Sequence, residues 1–495
     1  MLKKRIPFLF FDYKHLKSRT VLLVLFLVAF FIRFPFFFRD YIDRDESTFI
    51  LLGQSWANGN LPYTELWDLK PPVIYLFFAI IIKFFGKSFI AIRLFGTIVV
   101  AVIAFFGFKI GKGISSKKIA FWAALFCVLL LSLFGSLQGV MSEHISMLFF
   151  VPGLYLFINP RKKYFFLFSG FLMGLAIMTK LNLAYAILFL GLYYLYDSYA
   201  KKQFGKGFMG MFLLGIGVVS VILFTFLPYY YTGIPEVWWQ SVIQAPLQYA
   251  TFNFSGVLKV LPLCILIFLF LFLCWKKKRI DFKNNTIQLL TIAIIGVLFS
   301  FLKGGKINGH YLIQLYPILI ILIAIVIAQI DFFQKAIYKP VAIIVLLLLP
   351  FEAYKEYYAI INHKIERGTF FNGEGISVPN YLLKNKLNDN TVFFAEYHIG
   401  YWKLNQNPPT KAATHPSNIT RDHIFPFYDN PRTTAMAELR YILEDQKPQI
   451  IVTRRNKLVF NKRHVALNIY INTYLQQHYS LLQTIDNAEI YQLLQ

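Results

Sequence analysis

Long apolar runs separated by short basic loops restrict the fold of this chain more than any other feature. Runs at 21–38, 89–110, 208–230, 256–275 and 312–330 match the length of about 20 residues that a helix needs to cross a hydrocarbon layer about 30 Å thick. A continuous apolar run in lipid has no water for its backbone groups, so it satisfies them within itself as a helix. Composition agrees. The chain is 57% hydrophobic and 15% charged, whereas a soluble globular chain carries about a quarter charged residues. Its 54 Phe fall mostly inside the runs, which describes lipid-facing surface and not one oversized soluble core.

The formal net charge is +25 over 495 residues. A nucleic-acid partner would want a basic face on a folded domain with base-reading side chains. Here the Lys and Arg residues gather in short loops between apolar runs, the pattern that fixes orientation in a membrane. No nucleic-acid partner is expected. The basic N-terminus (Lys3, Lys4, Arg5, Lys14, Lys17 and Arg19) places that end in the cytoplasm. No small-residue cleavage site follows the first run, which therefore reads as an uncleaved span. Cys127, Cys264 and Cys274 lie in or beside apolar runs with no CxxC spacing, so neither a disulfide framework nor a metal site is implied.

Alternation of the basic loops threads the rest. The stretch 73–85 is short and broken by Lys83, as suits an interfacial or re-entrant segment. The next spans are 89–110, inward to Lys109, Lys112, Lys117 and Lys118, then 119–134 outward, and 145–158 inward to Arg161, Lys162 and Lys163. A hairpin of 164–178 and 183–196 returns to Lys201, Lys202 and Lys206, and 208–230 runs out to an aromatic loop at 232–255. Then 256–275 comes in to Lys276, Lys277, Lys278 and Arg279, 287–302 goes out, 312–330 comes in to Lys335 and Lys339, and 341–350 goes out last. That makes a polytopic α-helical membrane protein of about 11 transmembrane helices. From residue 351 the charge is mixed, turn formers appear (Asn407-Pro408-Pro409, His415-Pro416) and short β-rich runs recur at 391–395 and 449–453. The expected division is a membrane domain at 1–350, with a first outer loop and its interfacial helices at 39–87. A soluble extracytoplasmic α/β domain follows at 351–495.

Chemistry concentrates in the first outer loop, 39–72. It carries Asp40, Asp43, Asp45, Glu46, Glu65 and Asp68, six of the chain's 25 carboxylates. A solvated acidic loop is the plain explanation for such a cluster. This one is held at the membrane surface by flanking apolar segments, and it ends in Trp67-Asp68-Leu69-Lys70-Pro71-Pro72, a lone Lys among acids before a helix-starting Pro pair. A carboxylate near a fixed cation is what deprotonating an acceptor while holding a phosphate requires.

The motifs Asp45-Glu46, Gly59-Asn60-Leu61-Pro62-Tyr63 and Trp67 to Pro72 resemble the GT-C glycosyltransferases. Within that group they resemble the branch of protein O-mannosyltransferases and lipid A aminoarabinose transferases. The likeness runs on through Phe85-Gly86-Lys87, Arg93, Ser142-Glu143, Gly170, Gly174-Leu175-Ala176, Thr179-Lys180, His310-Tyr311 and Pro317, over roughly the first 330 residues. It implies an inverting transfer of a hexosyl or pentosyl group from a polyprenyl-phosphate donor to a lipid, glycan or protein acceptor. The site would face outward from the inner (plasma) membrane. Asp45 would be the general base with Glu46 beside it, and Lys70 would contact the phosphate. Glu143 stands where the group often has a second carboxylate, and either an orienting hydrogen bond or a divalent metal ion would suit it, with Asp68 as a further carboxylate. The resemblance departs at Leu69, where the aminoarabinose transferases have Glu, which leaves the question of a divalent metal ion open.

Other residues have two readings. Lys180 is either a snorkelling anchor or a phosphate ligand. Lys303, Lys306 and His310, with Tyr311 beside them, are either a simple loop or a cradle for the carrier phosphate, made approachable by Gly304-Gly305. Arg93 reads as structural or a headgroup anchor, Trp238-Trp239 as an interface anchor, His144 as structural, and Asp43 as a second choice of base. Two rival functions remain. A secondary transporter or lipid flippase would carry its charges at the bilayer midplane on broken helices and inverted repeats. An O-antigen ligase-like enzyme would rely on a large late loop, whereas the acids here come early.

Overall fold

The computed structural model describes residues 13, 15–40, 43–249, 254–330 and 339–494. Lys3, Lys4, Arg5, Lys14 and Lys335 lie outside the described residues. The first elements are α1 (Ser18–Arg33), α2 (Arg44–Ala57), α3 (Val73–Phe85), α4 (Phe89–Ile114) and α5 (Lys117–Leu130). Then come α6 (Ser142–Ile158), α7 (Tyr164–Ile177), α8 (Leu183–Ala200) and α9 (Phe204–Tyr231). Helices Phe254–Lys276, Asn285–Gly304, Tyr316–Ile327 and Lys339–Leu348 follow, so every run expected to cross is helical. Among the described residues five helices are both long and apolar enough to span a membrane.

Contacts divide the chain into two units of three segments each. The first holds Met1–Phe34, Arg93–Ile222 and Phe252–Lys355. In it α1 buries Val21, Leu25, Ala29 and Ile32 at the spacing of one helix face and exposes Leu23, Leu27 and Phe31, a surface suited to lipid. The helix ends in the buried Arg33. Its guanidinium donates to the carbonyls of Leu131 at 3.3 Å, Leu137 at 2.7 Å, Gln138 at 3.2 Å and Gly139 at 2.7 Å. Those carbonyls belong to the non-α-helical connection between α5 and α6, where backbone acceptors need an outside donor. His144 finishes the same connection: its Nδ1 accepts from Met141 N–H at 3.2 Å, and its Nε2 faces Leu131 O at 2.9 Å. The structural role expected for His144 is thus visible. Glycines set the closest helix crossings. A Cβ on Gly170 of α7 would stand 2.0 Å from Leu214 O of α9, and one on Gly217 of α9 would stand 2.3 Å from Leu167 O of α7.

The second unit holds Pro35–Ile92, Leu223–Thr251 and Glu356–Gln495. The loop read as polar from 39 to 70 contains the 14-residue helix α2. Asp43 caps it, accepting the Asp45 N–H at 2.9 Å, as N-cap carboxylates do. Close packing of α2 on α3 needs Gly53, whose Cβ would lie 2.6 Å from Phe78 Cβ. The aromatic stretch read as a loop at 232–255 also folds, with short helices at Pro235–Trp239 and Ala245–Tyr249. There Trp238 is buried against Phe226 while Trp239 is 47% exposed, so Trp239 alone of the pair presents its ring as an anchor. Asp40 is buried and accepts from Gly375 N–H, which ties the end of the first apolar segment to helix Glu374–Lys384.

The C-terminal region carries one four-stranded sheet in the order β1-β2-β4-β3. Its strands are β1 (Val392–Phe394), β2 (Ile450–Arg454), β3 (Tyr479–Ile485) and β4 (Ala488–Leu493). β1 and β2 are parallel, with Phe393 opposite Ile451, and the other pairs are antiparallel. The two runs picked out by β-rich composition are β1, at one edge of the sheet, and β2, inside it, and both are largely buried. The β3–β4 hairpin is amphipathic and was not anticipated.

Candidate active site

In the second unit, Asp45 sits in the first turn of α2 with its side chain 23% exposed, while the adjacent Glu46 is 1% exposed. Of the two neighbouring acids, Asp45 is therefore the one whose carboxylate reaches the outside. Asp43, the second choice of base, accepts the Asp45 N–H as the helix cap.

Lys70 reaches Asp45 from the segment before α3, with Nζ 3.5 Å from Oδ2. That segment is fixed by its own hydrogen bonds. Tyr63 O–H donates to the Lys70 carbonyl at 2.6 Å, Lys70 N–H donates to the Tyr75 hydroxyl oxygen at 3.3 Å, and Tyr75 O–H donates to Asp68 at 3.3 Å. Asp68 is 2% exposed, so it serves as the acceptor that locks Tyr75. Trp67 anchors the same stretch, donating from Nε1 to Ser241 at 3.0 Å and lying against the Tyr428 ring at 4.5 Å. Leu69 is buried.

The third group at Asp45 is His415, whose Nε2 lies 3.2 Å from Oδ1. It comes from 370 positions later in the chain. Sequence reasoning had noted it only as part of a His-Pro turn, and nothing local to either residue pairs them. Next to it His398 lies 3.0 Å from Thr48 Oγ1 of α2. Burial, with neighbouring His415 and Arg44, holds His398 well below the usual histidine range, so it stays neutral.

A second cluster forms within the first unit. Glu143, in the first turn of α6, is fully buried and ion-paired with Lys180, and His310 Nε2 lies 3.8 Å from the same oxygen. Lys180 Nζ stands 4.2 Å from the centre of the Tyr311 ring, a cation–π distance. Lys180 is 8% exposed, which is not the placement of a snorkelling anchor. Glu143, Lys180, His310 and Tyr311, chosen from three separate stretches of sequence, thus converge. Lys303 and Lys306 are exposed. The close approach offered by Gly305 is taken up by Gly256, where a Cβ would meet Gly305 O at 2.3 Å. Arg93 is buried.

A metal site fits neither cluster. Among the described residues no three His, Cys, Asp or Glu side chains gather as a ligand set. Glu143 already faces the Lys180 ammonium, which cannot be a ligand.

Residues 69–231 match the family model described as dolichyl-phosphate-mannose-protein mannosyltransferase. Two solved structures of ArnT from Cupriavidus metallidurans are similar across nearly the whole length. The apo form matches at TM-score 0.54 and 14% identity over 96% of this chain and 98% of that one. The form bound to undecaprenyl phosphate matches at TM-score 0.51 and 13% identity over 96% and 97%. No curated protein matches the sequence. At such identity the solved structures carry the fold, and the family model carries the stretch from Leu69 through α9. The chain has the fold of the ArnT structures over nearly its whole length, and within it residues 69–231 are similar to the dolichyl-phosphate-mannose-protein mannosyltransferases.

Proposed function

We propose that this enzyme moves a sugar from a polyprenyl-phosphate donor to an acceptor hydroxyl or amine at the outer face of the plasma membrane, with inversion. The observation that carries the reading is the Asp45–Lys70 pair at 3.5 Å, a partly exposed carboxylate beside a fixed cation. The donor class draws support from the family description, which contains a dolichyl-phosphate sugar, and from the related ArnT structure, which holds undecaprenyl phosphate.

In this reading the acceptor oxygen or nitrogen attacks C1 of the sugar from the face opposite the phosphate. Asp45 takes its proton, the C1–O bond to phosphate breaks, and the electron pair leaves on the polyprenyl phosphate. Lys70 meets the charge that develops there, where a preorganised cation is most effective. Lys180, His310 and Tyr311 are assigned to the donor, with the exposed Lys303 and Lys306 as outer phosphate contacts. Glu143 is the supporting carboxylate that holds Lys180 and His310 in place. Glu46 is a buried neighbour of the base and Asp68 a buried support of the Lys70 segment. The N-terminus lies in the cytoplasm and the C-terminal domain outside. The test is Asp45→Asn in purified, folded protein. General-base loss lowers transfer by about 10²–10⁴-fold, and near-wild-type transfer by that variant rejects Asp45 as the base.

A further inference from the structure

We propose that His415, delivered by the C-terminal domain, is the positioning residue that aims the Asp45 carboxylate at the acceptor. This rests on the assignment of Asp45 as base and extends it. An Asp in the first turn of a helix is ordinarily drawn toward the free N–H groups of that turn. Here Asp43 already accepts the Asp45 N–H at 2.9 Å, and outside groups face both Asp45 oxygens. His415 Nε2 stands 3.2 Å from Oδ1 and Lys70 Nζ stands 3.5 Å from Oδ2.

The sequence around His415 fixes which proton the ring carries. Pro416 opens the 3-10 turn Pro416–Thr420, and His415 precedes it in an extended conformation, φ −124° and ψ 114°, as a residue before proline must. In that geometry Ser417 N–H points back and donates to His415 Nδ1 at 3.2 Å. With Nδ1 an acceptor, the ring proton sits on Nε2 and donates to Asp45. The ring is 7% exposed on its side chain, and His398 packs beside it with ring centres 6.0 Å apart. The preceding residue adds a second grip. Thr414 Oγ1 accepts the Trp67 N–H at 3.4 Å, so adjacent residues of one turn hold both the helix bearing Asp45 and the segment bearing Lys70.

With Oδ1 held by His415, the acceptor proton goes to Oδ2, the oxygen that Lys70 faces, and the Lys70 ammonium turns toward the phosphate as charge develops there. The proton passes from acceptor to Oδ2 in the step that joins the acceptor atom to C1 and releases the polyprenyl phosphate. His415 gains and loses none.

The experiment compares full-length wild type, His415→Ala, His415→Asn and Asp45→Asn in membranes that supply the acceptor. Undecaprenyl-phosphate mannose, glucose and aminoarabinose are the probes, and release of undecaprenyl phosphate is the readout. The expected result is a fall in kcat of about 10- to 100-fold for His415→Ala, the scale of a misplaced catalytic group, with donor KM changed less than about twofold. His415→Asn, which keeps an N–H donor, recovers part of the loss. The acid limb of the kcat profile moves to higher pH in His415→Ala, because a donor that favours the ionised carboxylate is gone. Lys70, His415, His398 and Asp43 are among the charged or titratable groups around Asp45, and only His415 is altered. If Asp45→Asn is inactive while His415→Ala keeps wild-type kcat and pH profile, the positioning role is overturned and the base assignment stands. A loss in His415→Ala with an unmoved acid limb and no rescue by Asn overturns it too, as a merely structural effect. Activity in Asp45→Asn overturns the base assignment itself.

Discussion

Lys70 illustrates how one side chain divides its work. Its ammonium lies 3.5 Å from Asp45 and 5.8 Å from the centre of the Phe49 ring, and its backbone is locked from both sides by Tyr63 and Tyr75. A charge-assisted contact to phosphate contributes about 1.5–3 kcal/mol, so Lys70→Ala should lower kcat/KM for the lipid-phosphate donor by about 10- to 100-fold. Steady-state kinetics with varied donor measures it; an unchanged value places the phosphate elsewhere. Asp45 and Lys70 were legible in the sequence because both lie in one short stretch whose acids and single Lys stand out against apolar flanks. His415 was not. Its turn chemistry is local, but its partner is 370 positions away, and no periodicity or spacing connects them. Arg33 was missed for a related reason: the carbonyls it binds at Leu131, Leu137, Gln138 and Gly139 lie about a hundred positions on, in another connection.

At the scale of elements, the apolar runs declared themselves because a span has to be continuous, and α3 fell at the stretch read as interfacial. α2 falls in the stretch read as an outer loop with interfacial helices, where it was given no bounds because its sequence is polar at the start and mixed after. Its helix depends on the Asp43 cap and on packing against α3 through Gly53, neither of which composition reveals. The Gly170 and Gly174 motif has a physical meaning at this scale. Small residues let two helices approach in lipid, where close packing replaces the hydrophobic drive. Gly170→Ala drives a Cβ to within 2.0 Å of Leu214 O, an overpacking worth about 1–3 kcal/mol. It should lower the thermal midpoint in detergent. Gly215→Ala on the same α9 meets nothing within 4 Å and should leave the midpoint in place. Equal midpoints for the two variants would contradict the crossing.

For the whole molecule, loop charge predicts a cytoplasmic N-terminus and an external C-terminal domain. Cys127, Cys264 and Cys274 are all buried, so a cysteine introduced at the exposed Asp389 reports with little background. Asp389→Cys should react with a membrane-impermeant maleimide on intact cells; labelling only after permeabilisation would reverse the orientation. The central claim is that Asp45 and Lys70 meet the donor at its reacting carbon and its phosphate. The most direct test is a cryo-electron microscopy map of Asp45→Asn holding a polyprenyl-phosphate sugar that the wild type turns over. The account predicts the phosphate within hydrogen-bonding distance of Lys70 Nζ, with the residue at position 45 on the opposite face of C1, where the acceptor enters. A phosphate bound away from Lys70, or a side chain at 45 on the leaving-group face, would contradict it.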